Sequence, residues 1–319
     1  MPALTVLVIS DPAGAYLKAL DRLPPETSLT VSKDPQKLRE RAPSADVILN
    51  IHGDAGVLGQ LLPLAARARW VHTLFTGVDK ILSQEIAANT IPFTNGRGAF
   101  QRPLGEWTVG VMLHFAYNLR QVIRQQEAGA WEPVFSRGLH GATLGIVGYG
   151  SIGRAAAERA KPFGVRIAAL RRRPQPDALV DDTFAPAELN RLLATSDYVL
   201  LSAPLTSETR GMIGEAQFAV MKPTAVLINV GRGAVVSEAA LIRALETGKI
   251  RGAALDVFET EPVPAGHPFY KMQNVLLSPH TADRVDDFWS LAFERFFENF
   301  DRFQAGQPLL YLVDKRAGY

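Results

Sequence analysis

Between residues 142 and 173 the chain reads ATLGIVGYGSIGRAAAERAKPFGVRIAALRRR, and this stretch limits the fold more than any other. Thr143 to Val147 is an apolar run of strand length, Ser151 to Pro162 carries helical spacing, and Val165 to Leu170 is a second apolar strand. Gly148, Gly150 and Gly153 fall at the turn and the start of the helix. A GxGxxG in that setting has a physical logic. The first glycine permits a tight turn, the second lets a pyrophosphate approach the backbone, and the third lets helix and strand pack closely. The free N–H groups of the first helical turn, with about half a positive charge from the helix dipole, then face the phosphates. The stretch predicts a dinucleotide-binding βαβ unit; the competing reading of its glycines is an ordinary βα turn.

The end of the second strand selects between cofactors. An acidic side chain there would hold the ribose 2′-hydroxyl of NAD. Arg171 occupies that place, 18 residues past Gly153, and Arg172 and Arg173 follow it. A guanidinium grips a 2′-phosphate bidentately, whereas a carboxylate repels it. Two unit charges about 4 Å apart interact by at most ~4 kcal/mol at an effective dielectric of 20, and exposure reduces this to about 1–3 kcal/mol. NADP(H) is the expected cofactor, with NAD(H) as the alternative; a solvated basic loop is the competing account of the arginines.

At 319 residues the chain has room for two α/β domains. Strand signals at Leu4 to Ile9, Ser28 to Val31, Asp46 to Ile51, Trp70 to Leu74 and Ile91 to Thr94 alternate with helical segments such as Tyr16 to Leu23 and Pro35 to Arg41. That alternation predicts a parallel, doubly wound sheet. Its first βα turn, SDPAG, lacks the nucleotide signature. A long helix is expected from Pro103 to about Ala128, and at 1.5 Å per residue it would extend about 39 Å. A second α/β run follows, with strands at Tyr198 to Ser202, Ala225 to Val230, Gly252 to Val257 and Val275 to Leu277. A last helix, about Arg284 to Phe303, carries Phe288, Trp289, Phe293, Phe296, Phe297 and Phe300 at a spacing that marks core or subunit contact. The expected architecture is thus α/β with two doubly wound parallel-sheet domains. A Rossmann-type NAD(P)-binding domain, 99–284, is inserted into a flavodoxin-like substrate domain, 1–98, which 285–319 completes.

Charge and composition exclude several classes. A net charge of +2 gives no reason to expect nucleic acid or an anionic membrane as partner. The chain has no cysteine, so disulfides and thiolate nucleophiles or metal sites are ruled out, and no metal is expected. MPALTVLVISDP lacks the basic start and long apolar run of a signal peptide. The longest apolar stretch, Trp107 to Leu119, is interrupted by His114 and Asn118 and is short of the ~20 residues a membrane span needs. A soluble, cytoplasmic protein is the expectation.

If the dinucleotide serves hydride transfer to a carbonyl, the site needs a cation for the carbonyl oxygen and an acid for the nascent alkoxide. Six histidines compete for the acid. His114 lies in an apolar helix and His72 within a strand, both readable as structural. His140 and His267 sit in loop-like surface stretches. His52 follows a strand in IHGD and is a candidate substrate contact. His280, in NVLLSPHTAD, follows a buried strand at the carboxyl edge of the nucleotide sheet, where open α/β folds bind ligands. Arg232, in LINVGRGAVV, follows another strand of that sheet, flanked by glycines that leave its guanidinium room. Glu261, in ALDVFETEP, follows the next, and a carboxylate beside an imidazole favours the imidazolium form.

Taken together, GYGSIG, LSAPLTSETR, LINVGRGAVV, ALDVFETEP and SPHTA, with the earlier LFTGVDK and IPFTNGRG and the closing VDKRAGY, resemble the D-isomer-specific 2-hydroxyacid dehydrogenase family along essentially the whole chain. The ordered Arg–Glu–His set, spaced by 29 and then 19 residues, is its most specific element. The resemblance implies that Arg232 binds the substrate's carbonyl and carboxylate, that His280 is the general acid/base, and that Glu261 is its partner. It implies a carboxylate contact from the backbone of Thr76 and Gly77. It also implies a cofactor lying along Ser151, Ile152, Pro204, Thr209, Val230 and Gly231, with Asp256 receiving the nicotinamide carboxamide. An arginine-ended second strand is typical of the NADPH-using glyoxylate and hydroxypyruvate reductases, and a homodimer formed through the nucleotide domain is usual.

The chain departs from the family where small residues commonly follow the histidine; here Thr281, Ala282, Asp283 and Arg284 stand. With His52, Trp131 and Trp289, Arg284 is a candidate for the specificity pocket. Glu261 in place of glutamine argues against a formate dehydrogenase, and the length leaves out the regulatory domain of long phosphoglycerate dehydrogenases. The expected function is NADP(H)-preferring reduction of small 2-ketoacids to D-2-hydroxyacids. The alternatives are a dinucleotide-sensing, corepressor-like interaction protein and another nicotinamide-dependent chemistry on the same scaffold.

Overall fold

A computed structural model describes residues 3–318 apart from Pro174; Met1, Pro2 and Tyr319, the last residue of VDKRAGY, also lie outside the described residues. The chain divides into two compact units, one of residues 1–100 with 285–319 and one of residues 101–284. No helix among the described residues is long and apolar enough to cross a membrane.

The first unit holds β1 (Thr5–Ile9), β2 (Ser28–Ser32), β3 (Val47–Asn50), β4 (Trp70–Thr73) and β5 (Phe93–Thr94), all parallel in the order β2-β1-β3-β4-β5. The strands β3 and β4 are buried along their whole length, as apolar runs without alternation require. The chain reverses direction across the sheet between β1 and β3, the flavodoxin-like switch point. Helix Phe288–Gln304 returns to this unit. Its Phe288, Phe293, Phe296, Phe297 and Phe300 are buried, and Phe296 stacks on Trp70 with centroids 5.4 Å apart. The aromatic stripe is therefore core. The tail closes the edge of the sheet, where Val313 N–H donates to the Phe93 carbonyl at 2.8 Å.

His72 is fully buried in β4, its Nδ1 2.7 Å from Thr94 Oγ1. Burial lowers its pKa to about 3, so it is a neutral core residue.

The second unit holds β6 (Thr143–Val147), β7 (Arg166–Leu170), β8 (Asp182–Phe184), β9 (Tyr198–Leu201), β10 (Val226–Asn229), β11 (Gly252–Leu255) and β12 (Val275–Leu277). All pair in parallel in the order β12-β11-β10-β9-β6-β7-β8. The edge strand β8 was not expected from the sequence. Reversal between β6 and β9 places a crevice at the carboxyl ends of those strands.

One long helix was expected over 103–128; the structure has two, Gln101–Ala116 and Leu119–Ala128. The break is at Asn118, whose φ of +50° ends the first helix. Asn118 Nδ2 donates to the Phe135 carbonyl at 2.7 Å, and Arg251 Nη2 donates to Asn118 Oδ1 at 2.6 Å. These contacts hold a left-handed residue in place of a continuous helix. Both helices belong to the second unit. His114, expected in the core, is half-buried and lines a cavity of about 350 Å³ with Arg120, Arg124 and Arg251.

Candidate active site

The glycine turn after β6 is built as its residue types demand. Gly148 has φ +93°, and a Cβ there would lie 2.5 Å from the Ala203 nitrogen. A Cβ at Gly153 would lie 2.7 Å from Ile146 Cγ2, so this glycine lets helix Ser151–Ala160 sit on β6. Gly150 differs: nothing lies within 4 Å of where its Cβ would be. Close packing around the first and third glycines, with open space at the second, fits a pyrophosphate at the start of the helix.

Arg171 directly follows β7, and its N–H donates to the Phe184 carbonyl of β8 at 3.2 Å. The unexpected edge strand thus fixes its backbone. The guanidinium lies over the Tyr149 ring, 5.2 Å from the centroid, and its buried Nε and Nη2 have no hydrogen-bond partner. A guanidinium with two donors unspent can receive an anion. Tyr149, the variable residue of the glycine motif, drew no attention in the sequence. Burial, with the Asp177 carboxylate adding to it, pushes its phenol up to about 12. Arg172 is exposed.

The loops after β9 and β10 close on this turn. Thr209 Oγ1 donates to the Pro204 carbonyl at 2.7 Å, holding the turn between them. Val230 is buried, and a Cβ at Gly231 would lie 2.9 Å from the Ala203 carbonyl oxygen.

Arg232, Glu261 and His280 come from the ends of β10, β11 and β12. Arg232 Nη1 donates to the Gly231 carbonyl at 2.7 Å, and its own carbonyl accepts from Asn229 Nδ2 at 3.1 Å. Glu261 uses both carboxylate oxygens. Oε1 accepts from the Phe258 N–H at 3.1 Å, and Oε2 lies 3.0 Å from His280 Nδ1. The side chains are 22% and 47% exposed respectively, so the pair is sheltered on the glutamate side and open on the imidazole side. With Nδ1 committed to Glu261, Nε2 is the ring nitrogen left for a reacting group.

His280 itself has φ +55°, a conformation that a non-glycine residue adopts only under constraint. The constraint is Asp256, 3% exposed at the end of β11. Its Oδ1 accepts from Ser278 Oγ at 2.7 Å, Thr281 N at 2.8 Å and Ala282 N at 3.0 Å, bracketing His280 on both sides. This anchoring role, and that of Ser278, has no local sequence signal. Burial raises the Asp283 carboxyl above its ordinary range, and nearby Asp256 adds to the effect, against Arg284 and His280. The Arg284 Nε lies 3.6 Å from Asp283 Oδ1.

Thr76, Gly77, His52 and Trp289 lie in the first unit. Thr76 follows β4, and its Oγ1 donates to the Gly96 carbonyl at 3.1 Å, while its carbonyl accepts from Asn95 Nδ2 at 2.6 Å. Gly77 is half-buried beside it. His52 follows β3, with Nε2 2.8 Å from Tyr16 Oη; Tyr16 Oη is also 2.8 Å from Ser10 Oγ after β1. Tyr16 stacks on Trp289 at 4.1 Å. These groups gather at the β1/β3 switch point, and neither Ser10 nor Tyr16 carries a local sequence signal of this placement. Trp131 is 100% exposed. His140 is exposed, whereas His267, read as surface, is mostly buried with Nε2 3.6 Å from Glu238 Oε2.

The sequence pattern of the D-isomer specific 2-hydroxyacid dehydrogenase NAD binding domain matches residues 109–282. The chain belongs to this family. It is an NAD(P)-dependent oxidoreductase. Among relatives in the family, a glyoxylate reductase of Korarchaeum cryptofilum is 36% identical over 284 residues, 86% of this chain and 85% of that protein. The fold is shared with solved 2-hydroxyacid dehydrogenases. The NADPH-dependent glyoxylate/hydroxypyruvate reductase of Sinorhizobium meliloti, in complex with NADP and sulfate, superposes with TM-score 0.86 at 27% identity, covering 99% of this chain and 100% of that one. A D-isomer specific 2-hydroxyacid dehydrogenase of Xanthobacter autotrophicus, in complex with NADPH and MES, gives 0.84 at 29% identity over the full length of both.

Proposed function

We propose that the protein reduces small 2-ketoacids, with glyoxylate and hydroxypyruvate as leading substrates, to D-2-hydroxyacids, and that it prefers NADPH to NADH. The observation that carries this reading is the 3.0 Å Glu261–His280 contact at the carboxyl edge of a dinucleotide-binding sheet, with Arg232 on the neighbouring strand end. The names of the relatives and the nicotinamide ligands of the solved neighbours support it.

In this reading Arg232 holds the substrate carboxylate and polarises the keto oxygen, countering charge that grows there in the transition state. His280 Nε2 delivers the proton to that oxygen, while Glu261 fixes the ring and stabilises its charged form. The N–H groups of Thr76 and Gly77 are further carboxylate contacts, and His52 is a further substrate contact. Gly148, Gly150, Ser151, Ile152 and Gly153 receive the pyrophosphate. Pro204, Thr209, Val230 and Gly231 line the cofactor's path, and Asp256 takes the carboxamide. Arg171, unpartnered at two nitrogens, and Arg172 receive the 2′-phosphate. When bound, the reduced nicotinamide supplies the hydride for the keto carbon.

The second unit also exposes large apolar side chains between residues 117 and 135, among them Ile123 at 52% and Phe135 at 89%. A second copy of the chain is the proposed cover, giving a homodimer through the nucleotide unit.

The decisive assay is steady-state reduction of glyoxylate and hydroxypyruvate with NADPH. Arg232→Ala or His280→Ala is expected to lower kcat/KM by ~2.7–4 kcal/mol or more, as for loss of a transition-state donor. Near-wild-type turnover in either variant overturns the reading. Tight NADPH binding by the wild type with little turnover points instead to a dinucleotide sensor.

A further inference from the structure

A second pair of carboxylates ties together the loops that carry Arg232 and Glu261. Helix Glu238–Glu246 begins six residues after Arg232, and its first residue exchanges hydrogen bonds with Glu259, two residues before Glu261. The Glu238 N–H donates to Glu259 Oε1 at 2.9 Å, and the Glu259 N–H donates to Glu238 Oε1 at 2.7 Å. Between Arg232 and the helix, Gly233 presses on the same turn. A Cβ there would lie 1.8 Å from the Phe258 carbonyl carbon and 2.4 Å from the Glu259 nitrogen, so the loops meet backbone to backbone. From this contact the bonds run on without a gap, through the Phe258 N–H to Glu261 Oε1 and from Glu261 Oε2 to His280 Nδ1. The second oxygen of Glu238 faces His267, which leaves that carboxylate little freedom to turn away.

Helix capping alone does not account for the arrangement. Ser237 already caps the helix through Ala240 N, and the bond from Glu259 N–H back to Glu238 satisfies no helical group. We infer that Glu238 and Glu259 are positioning residues, a reciprocal clasp that fixes the spacing between the Arg232 guanidinium and the Glu261–His280 pair. The inference rests on the catalytic reading above. Neither carboxylate touches substrate in this account. The clasp acts by holding the acid and the cation in the one register that serves a single carbonyl oxygen, where misplacement by about 1 Å costs about 100-fold.

Glu259 is exposed, so truncating it leaves no cavity. Glu259→Ala is expected to lower kcat by about 10- to 100-fold, with the NADPH dissociation constant, read by nicotinamide fluorescence, unchanged within about twofold. The solvent deuterium isotope effect on kcat should rise, since proton delivery is the step displaced. Glu259→Gln and Glu238→Gln keep an oxygen acceptor for each N–H and should stay within about threefold of wild type. A wild-type kcat in Glu259→Ala overturns the inference, as does a Gln variant as impaired as the Ala one, or an unchanged isotope effect. His280→Ala and Glu261→Gln separate the two levels. If they lose turnover while Glu259→Ala keeps it, only the clasp falls. If they keep turnover, the catalytic reading and the clasp fall together.

Discussion

Asp256 offers the sharpest test of how the site is held. Truncation to alanine removes one oxygen that accepts three hydrogen bonds, from Ser278 Oγ, Thr281 N and Ala282 N. The Ala282 N–H is buried, and leaving it unpaired costs about 1–3 kcal/mol. The other two donors are only part-buried and recruit water, so about 1 kcal/mol each is the expected loss. The sum, about 3–5 kcal/mol, is a large share of the 5–15 kcal/mol that a domain of ordinary stability has. It falls on a turn whose central residue, His280, holds a left-handed φ between neighbours that this oxygen pins. The turn should relax, taking the imidazole away from Glu261, and kcat/KM for glyoxylate with NADPH should fall about 100-fold or more. Asp256→Asn keeps Oδ1 as acceptor and should stay within about tenfold. Thermal unfolding followed by circular dichroism, with kcat/KM on the same preparations, reads both effects. Wild-type kcat/KM in Asp256→Ala would refute the reasoning, because His280 would then be held by something other than this carboxylate. An Asn variant as damaged as the Ala one, at unchanged stability, would shift the role from hydrogen bonding to charge.

The same geometry carries three further expected outcomes. Arg171→Asp should remove about 1–3 kcal/mol of the proposed NADPH preference and add repulsion toward a 2′-phosphate, so the ratio of kcat/KM for NADPH over NADH should drop at least tenfold; an unchanged ratio means the guanidinium is idle. Burial lowers the His72 pKa from 6.5 to about 3, so the unfolded chain takes up that proton first as pH falls. Its contribution is fully present above pH 6.5 and is lost progressively toward pH 3, the loss reaching roughly 2 kcal/mol at pH 5. Guanidinium chloride unfolding of wild type and His72→Gln at pH 7.5 and 5 should show the smaller pH effect in the variant, and equal pH effects would reject the assignment. If residues 117–135 form the proposed homodimer face, the wild type should run as a dimer and Ile123→Lys as a monomer in light scattering coupled to size exclusion, and a monomeric wild type or an unchanged mass would reject that face.

What could be read in the sequence was local, and what could not was decided at long range. The glycine turn is legible because each glycine's job, tight φ, open approach or close packing, is set by a strand and a helix only a few residues away. The strand ends carrying Arg232, Glu261 and His280 were legible in the same way, each an apolar run followed by a polar residue. The edge strand β8 has three residues, two of them exposed, and so too little pattern to register. The break at Asn118 is held by Arg251, 133 residues onward, in a stretch whose residue types otherwise favour a continuous helix.

Asp256 sharpens the same point. Its resemblance-based role toward a nicotinamide says nothing of the three bonds it makes 22 to 26 residues downstream. Its Oδ1 is committed to the His280 turn, so under the proposed function a carboxamide competing for that oxygen would loosen the proposed general acid, which leaves Oδ2 for the proposed nicotinamide contact. On the proposed reading, cofactor contact and acid placement share one carboxylate. A substitution there should move the KM for NADPH and kcat together, whereas one at Glu259 should move kcat alone.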